Sequence, residues 1–263
     1  MPIEESSAAI VLRARDYSES DRIVTLLTRD FGKLSGMAKG AKASRKRFER
    51  KLEPFSHVML YFRRRPNGQL VFVTRAEASP DLLPFAIEDD LIKIALGSYM
   101  LELADAFTSE ESEAAGAYRV LAEALEAISL GRATLALRQA FELRLLHWAG
   151  YGLDFARCRQ CAVSMSANGD GSPSAIFFVI SRGGVVCARC RPAIPDGALK
   201  LDATSAAALV SLANGGFADA LESREAGADG ALAISRFMGS VLDRRLRSVT
   251  FLDSVLLANG AHR

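Results

Sequence analysis

The four cysteines of the chain form two pairs with the same spacing, Cys158 with Cys161 and Cys187 with Cys190. Each C-x-x-C turn directs both of its sulfurs towards one point, and two such turns can surround one zinc ion with four thiolates. Four thiolates leave no coordination position open for water, so the pattern predicts one structural zinc ion that takes no part in catalysis. The alternatives are four unrelated reduced thiols or two redox-active dithiols.

The surroundings of the cysteines add two features to this prediction. The two pairs are separated by 25 residues, and the Gly- and Ser-rich segment 168–174 between them is interpreted as an inserted loop. Arginines flank both pairs and could donate hydrogen bonds to the thiolates, face solvent, or form a basic surface for nucleic acid. They are Arg157, Arg159, Arg182, Arg189 and Arg191.

A second chemical signal is a dense run of positive charge, which we call the basic segment (residues 33–51). Its cations are opposed by a single carboxylate, Glu49. Small residues between them allow close approach to phosphates, and the cations would release counterions on binding, so the run predicts a DNA contact. The alternative is a solvated charge run on a mobile loop. The predicted DNA-binding residues are Lys33, Lys39, Lys42, Arg45, Lys46, Arg47, Arg50 and Lys51.

Aromatic residues and arginines near this run extend the prediction. Phe48 lies within the basic segment and could stack on a base. Three consecutive arginines, at positions 63–65, could enlarge the same basic patch. The charge of the whole chain agrees, because residues 1–75 hold 16 Lys and Arg against 8 Asp and Glu, while the whole chain has a net charge of only +2. A basic N-terminal part followed by an acidic remainder is typical of a protein that binds a polyanion through one end.

The elements that must position these residues differ between the two parts of the chain. Up to about residue 80 the pattern alternates with a period of two, and we expect five short antiparallel strands with a longer connection after the third. The turn between the last two is predicted at Pro66-Asn67-Gly68. This pattern predicts an OB-type β-barrel over residues 1–80, with an SH3-like barrel as the competitor.

From residue 84 onward the apolar period becomes helical, and residues 81–263 are predicted to form a mainly α-helical domain with a zinc module at about 155–195. Helices are expected at about 87–107, 112–130, 133–149, 204–213 and 228–247, and a β-hairpin is expected to precede the second cysteine pair. The predicted fold class is therefore an α+β multidomain protein, in which an N-terminal five-stranded OB-type barrel precedes a helical domain with a four-cysteine zinc module.

Several classes of function are disfavoured by the sequence. It contains neither the phosphate-binding G-x-x-x-x-G-K-[ST] motif nor the H-E-x-x-H zinc-protease motif. Each of the three histidines is better explained as structural, so we expect a non-enzyme. The chain lacks an apolar run long enough to span a membrane and has an acidic start where a secretory signal would be basic, which predicts a cytoplasmic protein.

Taken together, the order of these parts resembles the RecO family of bacterial recombination mediators. The resemblance lies in short segments spread over nearly the whole chain: Ala9–Leu12, Tyr17–Asp21, Phe31–Lys33, Lys39–Lys42, Leu52–Phe55, Gly150–Leu153 before the first cysteine pair, and Gly183–Val186 before the second. It implies an N-terminal OB fold, a helical domain that carries a zinc module in many members, binding of single- and double-stranded DNA, and annealing of complementary strands.

The resemblance also implies partners. These are RecR, the acidic C-terminal tail of single-stranded-DNA-binding protein and, indirectly, RecA, which the family helps to load at the nucleoid. A helix rich in leucine offers three evenly spaced cations, Arg132, Arg138 and Arg144, as candidates for contact with that tail, unless they are ordinary surface charge. The rival function is a zinc-ribbon accessory protein that binds RNA or acts in transcription, and an enzyme with an unrecognised pocket is a third class.

Overall fold

The structure is a computed structural model that describes residues 3–44, 46–65, 70–82, 84–87, 90–110, 112–165, 175–193 and 197–260. Three sequence predictions lie outside the described residues: the role of Arg45, the turn at 66–68 and the insert at 168–174. The chain forms two compact units. The first comprises residues 1–130 together with 246–263, and the second comprises residues 131–245.

The first unit is built on a closed five-stranded barrel, which confirms the predicted OB-type fold. Its strands are β1 (Glu4–Asp16), β2 (Arg22–Thr28), β3 (Gly32–Ala38), β4 (His57–Arg63) and β5 (Val71–Glu77). They close in the order β1-β2-β3-β5-β4, because β4 pairs with β1 and β5 runs parallel to β3. This Greek-key order is that of an OB barrel and differs from the SH3-like competitor.

The alternation of side chains explains why these segments form a barrel. Along β4, Val58, Leu60 and Phe62 are buried, while the residues between them are half-exposed. Successive side chains of a strand point to opposite faces, so this apolar set fills the interior. Gly36 permits the parallel contact of β3 with β5, since a Cβ atom there would lie 2.6 Å from Cγ2 of Val73.

Seven α-helices lie in the described part of the chain: α1 (Leu91–Phe107), α2 (Ala115–Leu130), α3 (Leu135–Trp148), α4 (Ala203–Asn214), α5 (Phe217–Glu222), α6 (Gly227–Val241) and α7 (Arg247–Gly260). None of the helices in these described ranges is both long and apolar enough to cross a membrane. The expected helix at 228–247 is wrong at its end, because α6 stops at Val241 and a separate helix, α7, begins at Arg247.

Three of these helices belong to the first unit, namely α1, α2 and α7. The carboxylate of Glu102 in α1 accepts hydrogen bonds from the backbone N–H groups of Arg247 and Ser248, at 3.0 and 2.7 Å. These groups have no partner within their own helix, so Glu102 supplies the N-terminal cap of α7. The ring of Phe55 also lies against α1, where a Cβ atom on Gly97 would approach it to 2.8 Å.

The second unit combines α3 to α6 with a small sheet of β6 (Ile176–Val179), β7 (Gly184–Cys187) and β8 (Leu199–Leu201), in the order β7-β6-β8. The antiparallel pair of β6 and β7 is the hairpin that the sequence predicted before the second cysteine pair. A short 3-10 helix, Ile180–Arg182, and a left-handed Gly183 at φ 57° turn the chain between them. Phe155, Phe178 and Phe237 pack together and form part of the core beneath the hairpin.

Candidate metal centre and nucleic-acid interface

The first cysteine pair sits on a tight turn held by backbone hydrogen bonds. The N–H of Cys158 donates to the carbonyl of Val163 at 2.9 Å, and the N–H of Ala162 donates back to the carbonyl of Cys158 at 2.8 Å. Ala162 adopts the left-handed conformation, at φ 59°, which reverses the chain just after Cys161. The turn therefore directs both sulfurs of the pair to one side.

The second pair is carried to the same place by β7. The N–H of Arg159 donates to the carbonyl of Val185 at 2.8 Å, and the N–H of Val185 donates to the carbonyl of Asp154 at 3.0 Å. A Cβ atom on Gly184 would lie 2.6 Å from the carbonyl oxygen of Asp154, so this close approach requires glycine. The first turn is thus joined by backbone hydrogen bonds to the strand that ends at Cys187.

The four sulfurs form one cluster with the dimensions of a tetrahedral metal site. They all lie within 4.8 Å of one another, and the sulfurs of Cys161 and Cys187 are 3.8 Å apart. A metal ion with metal–sulfur bonds of about 2.3 Å needs sulfur–sulfur edges of about 3.8 Å. The predicted cluster of all four cysteines is confirmed as a group that could hold a metal ion, and its soft thiolate donors suit zinc.

The protein environment favours thiolate at the first pair. Burial acts to raise the pKa of Cys158, but backbone N–H groups of Cys161, Cys187 and Gln160 outweigh it and lower that pKa to about 6. The N–H of Val163 likewise lowers the pKa of Cys161. At Cys190, burial and the neighbouring sulfurs raise the pKa to about 12. Negative charge thus accumulates at the first pair and opposes ionisation of the last thiol, so a cation bound between them would relieve the repulsion.

The arginines beside the cysteines make different contacts. Arg189 donates to the sulfur of Cys161 at 3.9 Å, as expected of a residue that offsets thiolate charge. Arg159 instead donates through Nε to the carbonyl of Arg182 at 3.2 Å, and Arg182 donates through Nη1 to Oε1 of Gln160 at 2.6 Å. Both of those partners are neutral, so the positive charges of Arg159 and Arg182 stay uncompensated by these contacts.

The basic segment begins in β3 and continues into the β3–β4 connection, where two apolar residues anchor it. Phe48 and Leu52 are each 2% exposed and belong to the barrel core. The idea that Phe48 stacks on a base is therefore wrong for this structure, since its ring is enclosed by the barrel. The carbonyl of Arg47 also accepts a hydrogen bond from the N–H of Ala76 in β5, at 3.0 Å.

Besides Lys33, three cations of the basic segment form internal contacts, and we call these three the anchored cations: Lys42, Arg47 and Lys51. The ammonium of Lys42 lies 3.0 Å from a carboxylate oxygen of Asp16 and 2.9 Å from the carbonyl of Ser18. Nη2 of Arg47 donates to the carbonyl of Lys39 at 2.9 Å, and Nζ of Lys51 lies 3.8 Å from Glu49.

A carboxylate at the β1–β2 turn holds the same segment by its backbone. Asp21 accepts a hydrogen bond from the N–H of Gly40 at 2.8 Å, and Gly40 adopts the left-handed conformation at φ 65°. That N–H is the main reason why the pKa of Asp21 lies below its usual value. The path of the basic segment is therefore fixed at its start by polar contacts and further along by apolar ones.

Three further cations, which we call the open cations, project from this fixed path: Lys39, Lys46 and Arg50. All three are exposed, and none forms a salt bridge with another residue in the described part of the chain. Arg50 also holds the left-handed conformation, at φ 59°, which is uncommon for a residue other than glycine. Their charges are available to an external anion, and their positions are set by the anchored neighbours.

Lys33 differs from the anchored and the open cations, because its side chain forms an ion pair with the buried carboxylate of Asp105 in α1. Its Nζ is 3.2 Å from Oδ1 of Asp105 and 2.9 Å from the carbonyl of the same residue. The side chain of Asp105 is 2% exposed and that of Lys33 is 14% exposed. Arg13 completes the group at 3.3 Å from Oδ2. These contacts favour a structural role for Lys33, while its predicted role in DNA binding stays a prediction.

Two of the three arginines at the end of β4, Arg63 and Arg64, pair with carboxylates of β1, whereas Arg65 is exposed. Nε of Arg64 lies 3.0 Å from Glu5, and its guanidinium covers the rings of Phe31 and Phe62. Arg63 lies 3.8 Å from Glu4. Glu4 and Glu5 thus offset part of the charge of these arginines, and their part in a larger basic patch stays a prediction.

The three arginines proposed for an acidic tail lie in or just before α3. Arg132 is exposed in the loop before the helix. Nε of Arg138 pairs with Glu142 at 2.9 Å, one turn further along the same helix. Arg144 donates to the carbonyl of Gly215, and its guanidinium lies 4.4 Å from the centre of the Phe217 ring. Two of the three therefore make internal contacts, and their contact with a partner stays a prediction.

Comparison with known proteins covers nearly the whole chain. The family model for the N-terminal part of recombination protein O matches residues 1–80, and the model for its C-terminal part matches residues 88–250. The protein named DNA repair protein RecO from Anaeromyxobacter sp. (strain K) is 35% identical over 249 residues, which is 94% of each chain. The protein of that name from Streptomyces griseus is 34% identical over 252 residues, which is 93% of this chain and 96% of the relative. With both family models matched and the OB-type barrel and cysteine cluster present, this chain belongs to the RecO family of DNA repair proteins.

Proposed function

We propose that this protein is a recombinational DNA repair mediator that binds single- and double-stranded DNA and anneals complementary strands. The observation that carries the proposal is the set of open cations, held in fixed positions on an OB-type barrel in a member of the RecO family. OB barrels commonly bind single-stranded nucleic acid on strand faces and adjoining loops.

Electrostatics accounts for annealing without a catalytic step. Two DNA strands repel each other through their phosphates, and bound protein cations lower that repulsion by neutralising phosphate charge, while the release of condensed counterions favours the binding. Contacts to the backbone carry no sequence information, so base pairing alone selects the complementary strand. We therefore assign no enzymatic reaction to this protein, and we expect little sequence preference in its binding.

The proposed domains divide the chain by its sequence and differ from the two compact units, in which α1, α2 and α7 belong with the barrel. We assign residues 1–80 as the OB-fold DNA-binding domain and residues 81–263 as the helical domain, with one structural zinc ion in the module at about 155–195. The family models, which match residues 1–80 and 88–250, support this boundary. The relatives are named DNA repair proteins, and their name supports the proposal that this protein acts at the bacterial nucleoid, in the cytoplasm.

The proposed partners follow from family membership. We propose that the protein works with RecR to load RecA on DNA coated with single-stranded-DNA-binding protein. Among the three arginines considered for the acidic tail of that coat protein, Arg132 is the best placed, because it is exposed while Arg138 and Arg144 make internal contacts.

The proposal is tested by replacing all three open cations, K39Q/K46Q/R50Q, in the full-length protein. The matched control removes three exposed arginines outside the basic segment, R119Q/R224Q/R245Q. Loss of three phosphate contacts should lower the salt slope of single-strand binding by about 2, since each contact contributes about 0.7. The rate of annealing of oligonucleotides coated with the cognate single-strand binder should fall in parallel, and the control should keep both values.

Two outcomes would overturn the proposal. One is an unchanged salt slope and annealing rate in the open-cation variant, which would mean that the basic segment does not meet DNA. The other is a loss of RNA binding with DNA binding unaltered, which would favour the RNA-binding accessory function. Far-UV circular dichroism of both variants checks that the fold is retained.

A further inference from the structure

The cysteine module carries an unusual balance of charge for so small a structure. Its described residues, 155–165 and 175–193, contain five arginines and no Asp, Glu or Lys. A zinc ion bound by four thiolates would carry a formal charge of −2, which leaves the described module at roughly +3. This excess of positive charge on a folded hairpin is balanced either by an anionic partner or by solvent alone.

The positions of three of these arginines argue against the view that the excess positive charge is simply exposed to solvent. Arg159, Arg182 and Arg189 are exposed, yet each is fixed by a hydrogen bond at the first cysteine turn or beside it. Arg182 reaches Gln160, and Arg189 reaches the sulfur of Cys161. The guanidinium groups therefore lie around one exposed turn instead of sampling many positions.

Each guanidinium keeps most of its hydrogen-bonding capacity for an external group. A guanidinium has five N–H donors in a planar fork, and each of these arginines uses one nitrogen in its hydrogen bond at the cysteine turn. The partners of Arg159 and Arg182 are a carbonyl and an amide oxygen, which satisfy a donor without neutralising charge. Pre-positioned guanidinium groups with free donors suit the phosphate group, which they can bind in a bidentate manner.

We infer that the exposed face of the first cysteine turn is a second nucleic-acid surface, on which Arg159, Arg182 and Arg189 bind the phosphate backbone. We call this face the arginine rim. The inference rests on the proposed function, because the polyanion bound by the basic segment is the ligand that a second surface of the same sign would share. A metal ion bound by the cysteines would then stabilise the turn that carries the arginine rim.

A second surface gives the protein a way to hold more of the same polyanion. The basic segment lies in the first compact unit and the arginine rim lies in the second. Binding through both surfaces should raise affinity beyond that of either one alone. The rim is expected to be indifferent to sequence, since it contacts phosphates and not base edges.

The test uses the full-length protein with R159Q/R182Q, which spares Arg189 and thus the contact to Cys161. A second variant, R159Q/R182Q/R189Q, removes the whole rim. The double variant should lower the salt slope for a thymidine oligonucleotide by about 1.4, because two single-strand phosphate contacts are lost. The double variant should keep the wild-type zinc content, measured by inductively coupled plasma mass spectrometry. The control R119Q/R224Q/R245Q should keep the wild-type salt slope.

Combination with the open-cation variant separates the failure of this inference from that of the proposed function. Addition of R159Q/R182Q to K39Q/K46Q/R50Q should reduce the residual affinity for the oligonucleotide further. A double variant that retains zinc and binds DNA with the wild-type slope would overturn the inference and leave the basic segment untouched. Loss of binding to poly-glutamate with unchanged DNA binding would also overturn it, since the rim would then be a surface for acidic protein segments.

Discussion

Substitution of Lys33 by methionine should destabilise the first unit, because it removes the buried cation that accompanies Asp105. The ammonium of Lys33 lies 3.2 Å from a carboxylate that is 2% exposed, whereas the remaining cation, Arg13, is 61% exposed. Removing one member of a buried ion pair costs about 3–5 kcal/mol, and the nearby Arg13 places this case at the lower end. A loss of about 3 kcal/mol corresponds to a rise of roughly 100-fold in the opening equilibrium of the barrel.

Hydrogen exchange with mass spectrometry can follow this loss in the barrel itself. Peptides that cover β1 to β3 should exchange roughly 100-fold faster in K33M under conditions where exchange reports the opening equilibrium. The only tryptophan, Trp148, lies in α3 of the second unit, so its fluorescence gives an independent probe of that unit during urea unfolding. K46M is the matched control, since it removes an exposed lysine and should weaken DNA binding without a change in exchange.

A double substitution sharpens the reasoning. In K33M/D105L both charges are absent, and replacing a whole buried pair by apolar groups is often close to neutral. The double variant should therefore be more stable than K33M. The structural role of Lys33 is refuted if K33M exchanges like the wild type while its DNA salt slope falls, because Lys33 would then be a DNA contact.

Three further predictions concern the anchors of the two sites. Phe48→Ala should destabilise the barrel by about 3–5 kcal/mol, because the ring fills the core. Urea unfolding followed by circular dichroism measures this loss. An unaltered unfolding transition together with weaker DNA binding would instead favour base stacking by Phe48. The purified protein should carry about one zinc ion per chain, and Cys158→Ser should lose it and expose the β6–β7 hairpin to faster hydrogen exchange. The basic segment should stay anchored above pH ~4, where Asp21 is ionised, and should loosen as the pH falls through the lowered pKa of Asp21. NMR of the Gly40 amide can follow this change, because that amide donates to Asp21. Asp21→Asn should abolish the pH dependence.

Features with a local pattern were predictable from the sequence. The C-x-x-C spacing identified the metal cluster, because two short turns determine where their own sulfurs point. The alternation of apolar residues identified the strands of the barrel, and Gly150, at φ 88°, ends α3 as a C-terminal glycine should. In each case the residues that decide the structure lie within one turn or one strand.

Features that depend on distant partners were not predictable in the same way. The ion pair of Lys33 could not be predicted, because its partner, Asp105, lies 72 residues further along the chain. The separate helix α7 depends on Glu102, which caps it from 145 residues away. The burial of Phe48 also follows from the closed barrel, which brings a residue of a charged connection over the core. Sequence periodicity contains no information on such pairings until the fold is known.

The distinction between open and anchored cations leads to a final prediction about how charge in the basic segment becomes affinity. Phosphate contacts contribute to the salt slope one by one, so a count of all cations would assign equal weight to each. An anchored cation must first leave its carboxylate or carbonyl, and the freed partner then opposes the gain. Replacement of all anchored cations by glutamine should therefore change the slope much less than the drop of about 2 expected for the open cations, while lowering the protection of the basic segment in hydrogen exchange. Equal slope changes for the two sets would mean that the contacts around Lys42 and Arg47 dissolve on DNA binding, and that charge density alone governs the affinity of this surface.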